Sequence, residues 1–151
     1  MEPGLSHASL FHTGIVVDDL AAEQARLGAE LGLTWYEGGA EVLFVTAAGT
    51  TTAATAYALS QEGPHHLELV QSVPGTLYTP TPQPRAHHLG YWVDDVRAAS
   101  AAMEARGFPA DTSICFGSAD APPLAAYHRA GDGLYLELVS TKMRKVLLPD
   151  S

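Results

Sequence analysis

Hydrophobic and polar positions along this chain alternate between a strand rhythm and a helix rhythm. Leu10 to Val17, LFHTGIVV, is rich in β-branched residues and reads as a strand. Asp18-Asp19 then supplies the acidic N-cap type. Leu20, Leu27 and Leu31 recur at helical spacing among alanines, and Gly32 is placed to stop the helix. Three short β-prone runs follow, Thr34 to Glu37, Val42 to Ala47 and Ala54 to Leu59, punctuated by Gly38-Gly39 and Gly49, and then His65 to Val70. Ser72 to Arg85 carries four prolines, at 74, 80, 82 and 84, and reads as an extended, stiff connection.

Beyond the connection the order repeats. His87 to Val93 is predicted as a strand and Asp95 to Arg106 as a helix stopped by Gly107. Phe108 to Thr112, Ile114 to Gly117 and Leu124 to Arg129 follow as strands, then the turn Gly131-Asp132-Gly133 and the strand Leu134 to Ser140. Thr141 to Ser151 reads as a short basic helix. The repetition is visible in identities. His12 to Leu31 laid on His88 to Gly107, at a constant offset of 76, matches at 8 of 20 positions, and Leu67-Glu68-Leu69-Val70 returns as Leu136-Glu137-Leu138-Val139. The common unit is read as a strand, a helix and three strands, with one further short run in each half. The expected organisation is a first module over 1–73, a linker over 74–85, a second module over 86–140 and a tail over 141–151.

Composition narrows the setting. A chain of 151 residues with 46% apolar residues can bury a core. With 17 acids against 8 bases, a net charge of −9 leaves no patch for a phosphate backbone, so nucleic acid is not expected as a partner. The same scarcity of bases disfavours a polyphosphate cofactor. Cys115 is the only cysteine, so no intrachain disulfide can form and a reducing compartment is the simpler assumption. No run approaches the roughly 18 apolar residues of a membrane span, and MEPGLSHASLF lacks the pattern of a secretory signal. A cytoplasmic protein is expected.

Side chains two apart on a strand share a face. His12, Gly14 and Val16 therefore lie together, as do their counterparts His88, Gly90 and Trp92. Glu68 shares a face with His66 and Val70, and Glu137 with Tyr135 and Val139. A carboxylate set in LELV is costly to bury unless it is paired or bound to a cation. Singly, a strand histidine is more often a hydrogen-bonded core or surface residue, and such a glutamate often faces solvent. Their recurrence in both modules favours two His and two Glu converging as a metal site. His7, His65, His66, His87 and His128 have no counterpart and are expected at the surface or lining a cavity. A one-residue slip would exchange His87 and His88. The 76-residue offset favours His88.

The ordered set HTGIVVDDL, LELV, HLGYWVDDV and YHRAGDGLYLELV resembles the vicinal oxygen chelate superfamily, the glyoxalase, epimerase, extradiol dioxygenase and bleomycin-resistance group. The resemblance implies an α+β fold in which two tandem βαβββ modules form a curved, cupped mixed sheet with helices outside. It also implies that His12, Glu68, His88 and Glu137 coordinate a divalent metal: Zn, Ni, Co, Mn or Fe(II). Family members use a ligand glutamate as base, so Glu137 or Glu68 is the first candidate, with His66 and Tyr135 as the second choice for proton shuttle or substrate contact. A homodimer binding a small-molecule substrate is the family habit. Four protein ligands leave two octahedral positions for adjacent substrate oxygens, which suits Lewis-acid stabilisation of an enolate.

Two branches fit less well. Lactoylglutathione lyases carry an arginine soon after the first ligand, where this chain reads HTGIVVDDL. Methylmalonyl-CoA epimerase-like proteins share the opening but carry Gln at the position of Glu68. The expected activity is therefore a metal-dependent isomerase, epimerase or lyase acting on a small oxygenated carbonyl metabolite. A non-catalytic binder of a natural product is the runner-up and a ring-cleaving dioxygenase the third reading.

Overall fold

The computed structural model describes residues 5–82, 85–131 and 133–150. Gln83 and Pro84 of the linker, Asp132 of the expected Gly131-Asp132-Gly133 turn, Met1 to Gly4 and Ser151 lie outside the described residues. Strand β1 (Leu10–Val17) leads into α1 (Leu20–Leu31), whose first turn is capped by Asp19 accepting from the Ala22 amide and whose end is closed by Gly32 in the left-handed region. Five strands follow: β2 (Trp35–Gly38), β3 (Glu41–Thr46), β4 (Gly49–Ala54), β5 (Tyr57–Ser60) and β6 (His66–Gln71). The second half is β7 (His88–Val93), α2 (Val96–Ala105) capped by Asp95, β8 (Ala110–Cys115), β9 (Ala125–Arg129), β10 (Tyr135–Ser140) and a single-turn α3 (Arg144–Leu147).

All ten strands join one mixed sheet in the order β2-β5-β6-β1-β7-β10-β9-β8-β3-β4. The two halves meet at its centre, where β1 and β7 pair antiparallel. β6 flanks β1 and β10 flanks β7, each in parallel, as crossover helices require. The outer strands explain the curl. β2 runs on into β3 and β4 into β5, and the Thr55 amide donates to the Ala40 carbonyl across the junction. One long hairpin thus contributes both edges of the sheet: its near half pairs with β6 through β5, and its far half reaches over to pair with β8. A sheet whose two edges are covalently continuous must bend round on itself, giving the cupped architecture expected from the sequence.

Two details differ from the sequence-based expectation. Where three runs were predicted after α1 and before His65, there are four strands, because β4 is GTTTAA with almost every side chain exposed and so carries no apolar alternation. Phe108 to Thr112 and Ile114 to Gly117 are not two strands but one, β8, because backbone pairing with β9 and β3 carries the polar Asp111, Thr112 and Ser113 straight through.

The cup is filled by Val16, Val42, Phe44, Val70, Tyr78, Ile114 and Tyr127. Tyr78 comes from the Pro-rich connection, which is less extended than expected: the Val73 amide donates to the Tyr78 carbonyl, folding the segment so that Tyr78 is buried. At the other end Phe11 stacks on Trp92, with ring centroids 3.8 Å apart. A bulge in β1 between Leu10 and His12 makes this possible, since it turns Phe11 as well as its neighbour His12 inward. Leu147 and Leu148 of the C-terminal segment close this end of the core.

Candidate metal centre

The four central strands place one side chain each at the middle of the cup. His12 stands on β1, Glu68 on β6, His88 on β7 and Glu137 on β10, and all four are buried, at 1%, 8%, 0% and 7% exposure. Pairing register brings them together. His12 lies opposite Gly90, which is itself paired with Glu137; His88 lies opposite Gly14, which is paired with Glu68. The glycines are required by space rather than by backbone conformation. A Cβ on Gly14 would fall within the His88 ring, and a Cβ on Gly90 within the His12 ring. The recurring His-x-Gly of both modules is therefore a reciprocal device, in which each copy vacates room for the other copy's imidazole.

One donor atom from each residue lies within 4.8 Å of every other, an arrangement that could hold a metal ion. His12 Nε2 is 3.1 Å from Glu137 Oε1 and 3.4 Å from Glu68 Oε1; His88 Nε2 is 3.0 Å from Glu68 Oε1 and 3.4 Å from Glu137 Oε1. The two Nε2 atoms are 3.1 Å apart. Burial disfavours a charged His12, but the carboxylates of Glu68 and Glu137 outweigh it and push its pKa up to about 10. Burial likewise works against ionised Glu68, yet His12 and His88 hold its carboxyl well below the usual range. The site therefore holds two buried carboxylates answered by imidazoles, with no Lys or Arg in its ion pairs among the described residues.

The donor set fits a divalent cation. Two neutral imidazoles and two carboxylates are a mixed nitrogen and oxygen set that suits first-row transition metals and zinc. Two buried side-chain atoms among the described residues lack a hydrogen-bond partner, His12 Nδ1 and Glu137 Oε1, and both belong to this cluster.

A second layer supports His88. His87 Nε2 is 2.9 Å from the Leu77 carbonyl, which can only accept, so this nitrogen carries the proton. Burial and the neighbouring His88 push the His87 pKa down to about 4, keeping its other nitrogen bare. That nitrogen, Nδ1, is 2.8 Å from His88 Nδ1, which therefore donates to it. With a cation in place of the Nε2 proton, this chain of bonds would leave His88 Nε2, the atom facing the carboxylates, able to offer its lone pair. Nothing in the spacing of the repeat marked His87, Leu77 or Tyr78 for this role. The adjacent histidines are the one signal the sequence offers, and by themselves they pose only a register ambiguity.

The remaining candidates fall elsewhere. His66 is buried on β6 with its Nδ1 2.6 Å from the Ser60 carbonyl, and its ring lies over Gly63. Tyr135 packs its ring 5.0 Å from that of His87 and borders a separate hollow together with Asp111 and Thr112. His128, expected at the surface or in a cavity, is fully buried between β9 and α2, bonded to Ser100 Oγ and the Phe108 carbonyl.

Beside the four donors lies a cavity of about 370 Å³ that His12, Glu68 and Glu137 border. Tyr78 also borders it, its hydroxyl 2.7 Å from that of buried Tyr127. Burial and the Glu137 carboxylate raise both phenols well above their ordinary pKa, so both stay protonated.

Comparison with known proteins fits this geometry. The sequence model of the Glyoxalase/Bleomycin resistance protein/Dioxygenase superfamily matches residues 11–122. The chain belongs to this superfamily. Proteins of known structure share its fold. Methylmalonyl-CoA epimerase from Mycobacterium tuberculosis superposes with a TM-score of 0.59 at 16% identity, covering 93% of this chain and 91% of that one. A hypothetical protein from Bacillus halodurans C-125 gives the same score and identity over 87% and 93%. A methylmalonyl-CoA epimerase in complex with methylmalonyl-CoA and NH4+ gives 0.53 at 19% identity over 91% and 95%. No curated protein matches the sequence significantly. Among the described residues no helix is long and apolar enough to cross a membrane.

Proposed function

We propose that this superfamily member is a divalent-metal-dependent isomerase or epimerase, or a lyase, that moves a proton at a carbon beside the carbonyl of a small oxygenated metabolite. The observation that carries the reading is the convergence of His12, Glu68, His88 and Glu137, four buried side chains on four adjacent strands, at the wall of a ligand-sized cavity. These four residues would hold the ion, with Zn, Ni, Co, Mn and Fe(II) all compatible with two nitrogens and two carboxylate oxygens. When bound, the ion would supply Lewis acidity that polarises a substrate carbonyl.

The chain's own residues do the rest. Glu68 and Glu137 reach the cavity from opposite modules, so either carboxylate can take a proton from one side of a bound molecule and the other can return one. An epimerase needs removal and return on opposite faces; an isomerase can take the proton and return it at another atom with one carboxylate, and a lyase hands the proton on with the leaving group. His66 and Tyr135 do not border the cavity and have no substrate contact in this scheme. The apolar wall excludes water from the acidic carbon.

Elemental analysis of protein purified without chelator, beside His88→Ala and Glu137→Ala, tests the reading. Wild type is expected to carry about one transition metal per chain, lost in both variants. Metal-loaded protein is then expected to exchange the α-proton of a carbonyl acid for deuterium, followed by proton NMR across a substrate panel. Wild-type protein that takes up none of the five metals sinks the proposal.

A further inference from the structure

We infer that the substrate taken by this cavity is uncharged apart from its metal-binding oxygens and carries an apolar aryl or branched-alkyl body, rather than a phosphate, nucleotide or carboxylate tail. The inference rests on the function proposed above and goes further, from the kind of reaction to the kind of molecule. Away from His12, Glu68 and Glu137 the cavity wall is mostly apolar, with Val42, Ile114, Val139, Met143 and Leu147 beside the neutral hydroxyls of Thr55, Tyr57 and Tyr78, and no Lys or Arg borders it among the described residues. The Tyr78 hydroxyl is already bonded to that of Tyr127.

Charge points the same way. Two carboxylates formally cancel a dication, so the loaded site would offer no surplus positive charge to an anionic tail. Several bases are committed elsewhere: Arg129 pairs with Asp111 at 2.8 Å, Arg97 donates to the carbonyls of Asp120 and Ala121, and Arg144 lies 4.7 Å over the Trp92 ring. An anion drawn into this wall would lose its water without gaining a partner.

The mouth gives a second, independent observation. Three large hydrophobic side chains are exposed among the described residues, and two of them, Phe116 at 62% and Val146 at 58%, border this cavity. They stand on different parts of the fold, the loop after β8 and helix α3, and both line this one cavity. Exposed apolar surface gathered at a cavity mouth fits an apolar ligand that covers it on binding. The coenzyme A esters named with the structurally similar epimerases carry the opposite chemistry in their tails.

Calorimetric titration of zinc-loaded protein with three hydroxamic acids, which share one chelating head, tests the inference. Acetohydroxamic acid has almost no body, 4-phenylbutanohydroxamic acid adds an apolar one, and succinic monohydroxamic acid adds an anionic one. The phenyl probe is expected to bind at least about fivefold more tightly than acetohydroxamic acid, and the succinic probe no more tightly. Phe116→Ala and Val146→Ala, both at exposed positions that folding does not need, should each shrink the phenyl preference and leave acetohydroxamic acid unchanged. A phenyl preference below about fivefold, or a succinic probe tighter than acetohydroxamic acid, overturns the inference. Absence of zinc binding, seen in the loading titration before any probe is added, would instead count against the proposed function. In that case 4-phenylbutanol added to the metal-free protein decides the matter: saturable binding weakened by Phe116→Arg supports an apolar occupant, and no saturable binding overturns it.

Discussion

The two modules carry the same strand, helix and ligand pattern, yet they surround their histidines differently. At the position before the shared histidine the first module has Phe11 and the second has His87. Phe11 meets the edge of His12 with ring centroids 4.4 Å apart, and His12 Nδ1 has no hydrogen-bond partner. His87 instead fixes His88 through Nδ1 and is itself anchored on Leu77. The helices differ in the same direction. α1 buries none of its residues, whereas α2 buries Val96 and Met103 against Ala126 and Leu138. A repeat thus conserves where the donors stand and leaves each copy to build its own support. One histidine is held by hydrogen bonds and the other by packing.

The strongest way to break this comparison is to remove what the copies share. Gly14→Ala and Gly90→Ala each place a methyl in the opposite imidazole, and each is expected to weaken zinc binding by more than about 100-fold in a calorimetric titration. Similar losses in both would show that the reciprocal packing is symmetric. A variant that binds as wild type does would mean the ring can sit elsewhere.

Removing what they do not share should cost less. His87→Phe makes the second module imitate the first, leaving His88 Nδ1 without its acceptor, and zinc affinity is expected to fall about 10- to 100-fold. Unchanged affinity would mean that packing alone orients His88. The helices sharpen the contrast through stability. Met103→Ala empties a buried site and is expected to cost about 2–5 kcal/mol by urea unfolding, while Leu27→Ala on half-buried α1 should cost roughly 1 kcal/mol. Equal costs would show that α1 is as firmly seated as α2.

The smallest effect is one of pH. Because the metal-free fold raises His12 from an ordinary 6.5 to about 10, the stabilisation it contributes is full below about 6.5 and is lost as pH rises through 10. Glu68 has the opposite sign: its depressed pKa stabilises above its ordinary 4.5 and is lost as pH falls further. Chelator-treated protein should therefore show a urea midpoint that declines between pH 7 and pH 10, and zinc-loaded protein should not, since zinc displaces the His12 proton. Parallel pH profiles with and without zinc would mean that the metal does not meet His12.

Several features were legible before folding was considered. Histidine followed two residues later by glycine, at one offset in both halves, located β1 and β7, and the LELV echo located β6 and β10. Both rest on local alternation that a strand must obey. Asp19, Gly32 and Asp95 marked helix ends because unpaired backbone groups there demand them. β4 was not legible, because an exposed strand of threonines gains its order from the ladder to β3 and leaves no apolar signature. The supporting place of His87 was not legible, because it depends on Leu77, which a fold in the Pro-rich segment brings to it.

What the sequence determined by itself is the repeat, and with it the four side chains that converge, since pairing two copies about β1 and β7 maps each histidine onto the other copy's glycine. Only the tertiary structure decided how the sheet closes, which tautomer His88 presents and what lines the cavity. Those depend on segments far apart in the chain coming together: the β2–β5 hairpin reaching β8, Leu77 meeting His87, and Phe116 and Val146 lining one cavity. Local alternation fixes the face on which a residue stands, and only the closed sheet fixes what stands opposite.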